Sequence, residues 1–558
     1  MGSAYRRYYV TVGSRQVHYR RVGDGPPVIL LHASPQTADF VIPAMMSLAN
    51  EFTLIGLDTP GYGGSDRLGL PEPTAADYAD ALAETLDALG IRRAPVYGTH
   101  TGAHIAMEFG LRFPERTAAC FLDGISFNTV DEKQELVEQY APAFTPVAGG
   151  GHLAWAWQHT RDQTIFYPWF RAERDRRVNQ AIGDPEYLSK VVLWKMVAGS
   201  GYRIGYRAAF THDSLAAIKT MAVPTLVIAR AADILAHQAS RLGDLPQCVR
   251  ILKLPESREQ WLVALREAFA TANGDRTIPL PPETRAMRGR QWRGYVSQRG
   301  GQRLVRCGGG ASGRPLVLLH GDMESSATLE DLARGLSRDR SVYALDIAGC
   351  ADSDPLEDGA SLADYVRDAS GVCSALGLTE FDVYGRGLGA TLALAMARSD
   401  SKVKRLVLDQ PWAPSAEERV DLLAQYAPAL SARWDGTHFL TAWSMLRDRA
   451  LFWPWYRRTR DAIRWVEPDF DPNDLQRDLV ELLKRPQTYG DYCRAMLASD
   501  VAGLTPGLTQ SCLVLVRTGD RLATHADRLA LAHAERRARP SRPSELVDVV
   551  ADFLRSAR

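Results

Sequence analysis

The chain has 558 residues, 66 basic and 66 acidic side chains, and a hydrophobic fraction of 46%. At about 150 residues per domain, this length predicts two to four globular domains and excludes a small module or a disordered chain. The balanced charge creates no long-range field, so we expect a small-molecule substrate and neither nucleic acid nor a membrane as partner.

The seven cysteines are widely spaced and form no C-x-x-C pair, which favours free thiols over a disulfide framework or a zinc site. No phosphate-binding glycine loop or metal-ligand cluster occurs, so we expect no cofactor and no metal. We also find no secretory-type apolar segment and no run of about 18 uncharged apolar residues. These features predict a cytoplasmic protein.

The first predicted elements are two alternating apolar and polar stretches at residues 8–12 and 17–21, which indicate an antiparallel hairpin. Short apolar runs, beginning with residues 28–32, then alternate with amphipathic stretches such as 75–89 and 103–113. This alternation predicts an α/β fold with a mostly parallel sheet and flanking helices.

A long-period repeat dominates the chain. The strand-like residues 28–32 recur at 316–320, and Gln-Tyr-Ala-Pro-Ala at 139–143 recurs at 425–429. Further matches have nearly the same displacement, so few insertions separate the two copies. The chain therefore reads as a tandem duplication.

The repeat predicts two α/β domains, at residues 1–275 and 290–558, joined by a proline- and arginine-rich linker at 276–289. In each copy a stretch, at about 128–208 and about 413–495, interrupts the strand–helix alternation and predicts a helical cap. Duplicated halves usually keep an ancestral dimer interface, so we expect an intrachain pseudo-dimer. Further homo-oligomerisation stays open.

Three ordered motifs in the first copy carry a family resemblance. They are His-Ala-Ser-Pro at 32–35, Asp-Thr-Pro-Gly-Tyr-Gly-Gly-Ser at 58–65 and Gly-Thr-His-Thr-Gly at 98–102. They resemble the oxyanion loop, the Asp-x-Pro-Gly-x-Gly-x-Ser loop and the nucleophile elbow of α/β-hydrolase fold enzymes of the epoxide hydrolase and haloalkane dehalogenase type. The resemblance extends over both copies, more weakly in the second, and implies a capped α/β-hydrolase-like domain in each.

The family's catalytic triad does not carry over intact. The elbow centre is His100 in the first copy and Gly387 in the second, where the family has Ser, Asp or Cys. Asp233 and Asp520 match the place of the family's acid, but no histidine follows the last predicted strand of either copy. A Ser-His-Asp mechanism is therefore not expected in either half.

His100 is the main catalytic candidate. On an elbow it would project into the pocket beside the backbone N–H groups of Thr101 and of Ala33 or Ser34, which are candidate oxyanion donors. The helix N-terminus behind it is expected to lower the pKa of the imidazole and keep it neutral. His100 would then act as a general base or an unusual nucleophile.

Asp233 is the second catalytic candidate, as the carboxylate that orients His100, with Asp123 at the end of a central strand as the alternative. Further substrate-binding candidates lie on the oxyanion loop, in the cap and after Asp233: Gln36, Trp157, His159 and His237. His159 is replaced by methionine in the second copy, whereas Trp157 persists there, which maintenance of the fold explains more simply than catalysis.

These observations favour a cofactor-free enzyme that acts on a small apolar or aromatic carbonyl or ester-like compound. Hydrolysis, elimination, cyclisation and decarboxylation all remain open for such a site. The alternatives are a ligand-binding pseudoenzyme and a structural scaffold in which the duplication mimics a dimer.

Overall fold

A computed structural model describes residues 5–282, 290–310 and 313–556. The chain divides into two compact units. The first runs to Thr145 and resumes at His152, and the second contains Pro146–Gly151 and the C-terminal half of the chain. Of the predicted linker at 276–289, residues 283–289 lie outside the described part of the chain.

The first unit is built on an eight-stranded sheet. Its strands are β1 (Arg6–Val12), β2 (Arg15–Val22), β3 (Pro27–Leu31), β4 (Thr53–Leu57), β5 (Ala94–Thr99), β6 (Thr117–Asp123), β7 (Thr225–Arg230) and β8 (Val249–Leu254). Its α-helices are α1 (Ile42–Leu48), α2 (Ala75–Ala88), α3 (Thr101–Arg112), α4 (Val130–Gln139), α5 (Gly151–Ile165), α6 (Pro185–Ala198), α7 (Tyr202–Thr211), α8 (Ser214–Ala217) and α9 (Arg258–Ala270).

The strand order in this sheet is β1-β2-β4-β3-β5-β6-β7-β8. The pairs β1–β2 and β2–β4 are antiparallel and the remaining pairs are parallel. Every residue of β3, β4, β5 and β6 is buried, because crossover helices cover both faces of the central strands. The predicted hairpin and the predicted mostly parallel sheet are both confirmed.

The second unit has an eight-stranded sheet of its own. Its strands are β9 (Trp292–Gln298), β10 (Gly301–Gly308), β11 (Gly313–Leu319), β12 (Arg340–Leu345), β13 (Phe381–Arg386), β14 (Val403–Asp409), β15 (Ser511–Val516) and β16 (Ala534–Ala538). Its α-helices are α10 (Glu330–Leu336), α11 (Leu362–Ala375), α12 (Leu388–Ser399), α13 (Ala416–Gln425), α14 (Thr437–Leu451), α15 (Pro472–Leu483), α16 (Tyr489–Leu497), α17 (Ala523–Ala526) and α18 (Pro543–Arg555).

The second sheet has the order β9-β10-β12-β11-β13-β14-β15-β16, which repeats the order of the first sheet strand for strand. Two α/β domains with one strand order are what a tandem duplication predicts. In each unit a group of helices, α4–α8 or α13–α16, enters between the sixth and seventh strands, where the sequence predicts a cap. Nowhere in the described ranges is a helix both long and apolar enough to cross a membrane.

Asp58 is the first residue of the Asp-Thr-Pro-Gly-Tyr-Gly-Gly-Ser motif, and its contacts show how the motif is held in place. Its buried carboxylate accepts hydrogen bonds from the backbone N–H of Ala38 at 2.8 Å and of Gly64 at 2.9 Å, and it pairs with Arg20 at 2.9 Å. Burial would raise the pKa of Asp58, but Arg20 and the hydrogen-bonded His18 together outweigh it and lower the pKa. Asp58 thereby ties the loop after β3 to the loop after β4.

Candidate active site

His100 forms the tight turn between β5 and α3. Its backbone has φ 49° and ψ −110°, a conformation that non-glycine residues rarely adopt. The backbone N–H of His100 donates to the carbonyl of Asp123 at 2.9 Å, and its carbonyl accepts from Ala103 at 2.9 Å. The turn holds the imidazole at the carboxyl ends of the parallel strands, where open α/β sheets bind ligands.

Asp233 orients this imidazole. Its Oδ2 lies 2.9 Å from Nε2 of His100, and its Oδ1 accepts from the backbone N–H of Leu235 at 2.8 Å. A carboxylate with both oxygens engaged has a fixed orientation, and as an acceptor it keeps the proton of the neutral imidazole on Nε2. Nδ1 is then the basic nitrogen of His100.

The pKa of His100 is raised above the ordinary value of 6.5. Burial acts in the opposite direction, but the charge and hydrogen bond of Asp233 outweigh it. This corrects the expectation that the helix N-terminus lowers the pKa, because the ionised carboxylate is closer and carries a full charge. In return, His100 holds the pKa of Asp233 well below its usual range despite burial.

Asp123, the alternative acid, is engaged by other groups. Its Oδ1 accepts from Nε of Arg230 at 2.9 Å, and its Oδ2 accepts from the hydroxyl of Tyr97 at 2.6 Å and the indole of Trp261 at 3.1 Å. Arg230 also reaches Asp233 at 3.4 Å. The two carboxylates thus share one guanidinium, and only Asp233 hydrogen-bonds the imidazole of His100.

A cavity of about 390 Å³ lies over His100. Six of the predicted site residues line it: Ala33, Ser34, Gln36, His100, Thr101 and Asp233. Aromatic side chains form much of the remaining wall: Phe40, Tyr140, Tyr167, Tyr187, Tyr206 and Phe210. The cavity therefore combines one polar end, at the carboxyl ends of the strands, with an aromatic enclosure built mainly by the cap.

The polar end offers backbone N–H donors. Thr101 is the first residue of α3, where a backbone N–H has no acceptor within the helix. The N–H of Ser34 makes only a long contact of 3.4 Å with the hydroxyl of Thr101. The Ser34 hydroxyl donates to Tyr62 at 3.2 Å, which anchors the loop. Thr101 and Ser34 both line the cavity beside His100.

Two cap residues predicted for the site do not line this cavity. Trp157 is 3% exposed and packs inside the cap. His159 is 2% exposed, stacks on Trp155 with 4.8 Å between ring centroids, and lies edge-on to Trp169 at 4.5 Å. Both rings belong to the cap core, because α5 is packed on more than one side and buries residues all around its middle turns.

His237 also lies away from the cavity wall, exposed, with its Nδ1 3.1 Å from the carbonyl of Ile234. Two residues that the sequence reasoning missed do line the cavity, His104 and Ser126. His104 lies in the first turn of α3, four residues after His100, and its backbone N–H contacts the carbonyl of His100 at 3.3 Å. That spacing was the available signal for His104, and Ser126 had none.

The second unit arranges the same positions differently. Gly387 has φ 54° at the turn between β13 and α12, where His100 stands in the first unit. Asp520 pairs with Arg464 at 2.5 Å, and Asp322, on the loop after β11, accepts from the hydroxyl of Tyr426 at 2.6 Å. The carboxylate that pairs with a histidine in the first unit pairs with an arginine here.

The family model for the alpha/beta hydrolase fold matches residues 26–146 and 314–527, more than half of the chain and parts of both units. The chain belongs to this family.

The uncharacterized protein Rv2715 of Mycobacterium tuberculosis is 34% identical over 110 residues, which are 19% of this chain and 32% of that protein. The 2-hydroxy-6-oxo-6-phenylhexa-2,4-dienoate hydrolase of Comamonas testosteroni is 30% identical over 119 residues, 19% of this chain and 39% of that enzyme. The match thus spans less than half of the length of either relative. Among solved structures, an esterase from Thermogutta terrifontis is 19% identical with a TM-score of 0.37, covering 48% of this chain and 98% of that one.

Proposed function

We propose that the N-terminal unit is a cofactor-free hydrolase of small carbonyl compounds, with His100 as its general base. The observation that carries this proposal is the 2.9 Å contact between His100 and Asp233 at the wall of a cavity that also presents the N–H groups of Thr101 and Ser34. Membership of the alpha/beta hydrolase fold family supports a hydrolytic reaction at the level of class.

The reaction follows from the proton positions. Asp233 keeps the imidazole proton on Nε2, so Nδ1 of His100 removes a proton from water as the water oxygen attacks the substrate carbonyl carbon. The carbonyl oxygen gains the electron pair and is stabilised by the N–H groups of Thr101 and Ser34. When the tetrahedral intermediate collapses, Nδ1 returns the proton to the leaving group.

The substrate we propose is an aromatic or otherwise unsaturated carbonyl compound. The aromatic rings that enclose the cavity provide flat apolar faces, which suit a planar apolar substituent, and the tyrosine hydroxyls among them can hydrogen-bond polar groups of a substrate. Relatives whose names state 2-hydroxy-6-oxo-6-phenylhexa-2,4-dienoate as their substrate point to the same chemical class.

In this proposal His100 takes the position that the family gives its nucleophile, and the C-terminal unit has a structural or ligand-binding role. Gly387 supplies no side chain at the corresponding turn, and Arg464 neutralises Asp520. Both features are unsuited to base catalysis in the second unit.

The test is H100A against a panel of aryl esters, β-keto acids and unsaturated ketones, with melting temperature measured in parallel. Loss of a general base lowers kcat/KM by about 10²- to 10⁴-fold, while the partly exposed imidazole contributes little to the core. H237A is the matched control, because it removes an exposed histidine outside the cavity, and it should retain full activity. Equal turnover by H100A and wild type would overturn the proposal and favour a binding protein.

A further inference from the structure

A second polar array reaches the same cavity. His104, on α3, has its Nε2 3.0 Å from Oγ of Ser126 and its Nδ1 2.9 Å from Oγ of Ser214. Ser214 Oγ lies 2.9 Å from Nδ1 of His212, whose Nε2 lies 2.8 Å from Oε1 of Glu108. Ser126 and His104 line the cavity, and the other three groups lie behind them.

The carboxylate of Glu108 gives the hydrogen bonds of this array one consistent set of directions. The hydrogen bond from His212 lowers the pKa of Glu108, so Glu108 is an acceptor and His212 Nε2 carries the proton. Nδ1 of His212 can then accept from the Ser214 hydroxyl, and Ser214 from Nδ1–H of His104, whose Nδ1 also lies 3.3 Å from Nδ1 of His212. Nε2 of His104 is left without a proton and accepts from the hydroxyl of Ser126.

Neighbouring groups support this assignment. Asn128 donates its side-chain N–H to Ser126 Oγ at 3.2 Å, and its own Oδ1 accepts from Gln238 at 3.2 Å. With a donor already directed at its oxygen, Ser126 is set to donate its proton to His104. Burial keeps the pKa of His104 well below its ordinary value, so that the ring is neutral and able to accept.

We propose that Ser126 is a second nucleophile in the cavity, activated by His104 and by the relay through Ser214 and His212 to Glu108. This inference goes beyond the base function of His100, because no member of the array is His100 or Asp233. It assigns a covalent acyl-transfer step to a serine outside the turn between β5 and α3.

In this step Ser126 Oγ forms a bond to the carbonyl carbon of an ester while its proton moves to Nε2 of His104. His104 passes its Nδ1 proton to Ser214, which passes its own to Nδ1 of His212, so the positive charge comes to rest beside Glu108. On collapse the ester C–O bond breaks, the protons return along the relay and His104 protonates the alcohol. Water then hydrolyses acyl-Ser126 by the same sequence.

The second unit replaces the array with groups that cannot perform this step. Helix α12 aligns with α3 without a gap, and there His104 corresponds to Thr391 and Glu108 to Ala395. Ser126, three residues after the end of β6, corresponds to Trp412, three residues after the end of β14. The array is thus particular to the unit that also holds the His100–Asp233 pair.

The test uses diisopropyl fluorophosphate on the full chain, followed by peptide mass mapping. The serine oxygen forms a bond to phosphorus and fluoride leaves, so a relay-activated Ser126 should be labelled. We expect S126A to abolish the label at this position and H104Q, which keeps a polar side chain but removes the base, to slow labelling by about 10²-fold or more. S47A, which removes an exposed serine on α1, is the matched control.

Two outcomes overturn the proposal: no label on Ser126, or equal labelling rates in wild type and in a folded H104Q protein. If H104Q fails to fold, S126C replaces that comparison. Its alkylation by iodoacetamide should proceed faster than that of the free cysteine in an unfolded sample, and a slower reaction would contradict activation. Labelling of Ser126 in H100A separates the two proposals, because the relay does not include His100.

Discussion

Gly124 packs directly against the carboxylate of Asp233. A Cβ atom on Gly124 would lie 2.7 Å from Oδ2 of Asp233 and 3.0 Å from Nε2 of His100. Gly124 also has φ +62°, in the region that favours glycine. The glycine that follows β6 is therefore part of what allows histidine and aspartate to meet.

The first prediction is that G124A lowers activity by about 10²-fold, because the added methyl group displaces the hydrogen-bonded pair by a fraction of an ångström to an ångström. G13A is the matched control: Gly13 has φ +57°, and a Cβ atom at this position would have no neighbour within 4 Å. Both variants should lose about 1 kcal/mol of unfolding free energy from the backbone, but only G124A should lose kcat/KM. Similar kinetics for the two variants would contradict the crowding argument.

The second prediction concerns pH. A base must be unprotonated, so kcat/KM should fall as the pH drops through the pKa of His100, which lies above 6.5. D233N removes the charge that raises this pKa and leaves burial and Arg230, both of which lower it. The acidic limb of the D233N profile should therefore move to lower pH, along with a reduced maximum rate from loss of the fixed tautomer.

Histidine NMR titration of D233N, compared with wild type, measures the same shift without a substrate. D24N, which removes an exposed carboxylate from the same unit, is the control for net charge. An unchanged His100 titration in D233N would show that the aspartate does not set the pKa.

Much of the fold could be predicted because it depends on local periodicity. The predicted strand at 28–32 is Pro27–Leu31, and the predicted helix at 75–89 is Ala75–Ala88. Buried parallel strands read as short apolar runs and crossover helices as amphipathic ones, so both leave a signal in a single sequence. Because the chain is duplicated, each of these apolar and amphipathic patterns occurs in both halves.

The site was predictable only where the backbone dictates it. His100 stands at a turn with a recognisable glycine pattern, and Asp233 follows a strand end. Ser126 and Ser214 lie in irregular or short segments 88 residues apart, and their meeting depends on how the cap folds back over the sheet. Period and spacing carry no information about such long-range contacts, which is also why the sequence could not show whether Trp157 and His159 face the cavity or the cap core.

The third prediction tests the C-terminal unit. G387S should create no esterase activity, because Asp520 is neutralised by Arg464 and no histidine follows β16. A Cβ at this position would lie 3.2 Å from Oδ1 of Asp322, so the Asp322 side chain must shift by a few tenths of an ångström, and φ 54° adds strain. The native activity of the chain should be unchanged. Loss of that activity in a folded G387S protein would place the second unit in the chemistry.

The last prediction concerns Lys195, which is fully buried in the cap. Its Nζ contacts Nδ1 of His159 at 2.6 Å and the hydroxyl of Thr160 at 2.9 Å, and it lies 5.9 Å from the ring centroid of Trp155. Within the described ranges no carboxylate forms an ion pair with it. Burial lowers the pKa of Lys195 from 10.5 to about 7.

The lowered pKa of Lys195 determines how the free energy of unfolding changes with pH. Between pH 7 and 10.5 the unfolded chain binds a proton at Lys195 that the folded chain does not, so wild-type stability rises with pH by up to about 1.4 kcal/mol per pH unit from this group. K195M lacks the titration and should be most favoured over wild type at pH 7 and below, losing that advantage toward pH 10. K190M removes an exposed lysine from the same helix and controls for charge. The measurement is the melting temperature of the three proteins from pH 6 to 10. If the melting temperatures of wild type and K195M change with pH in parallel, Lys195 stays protonated in the folded cap and the prediction is wrong.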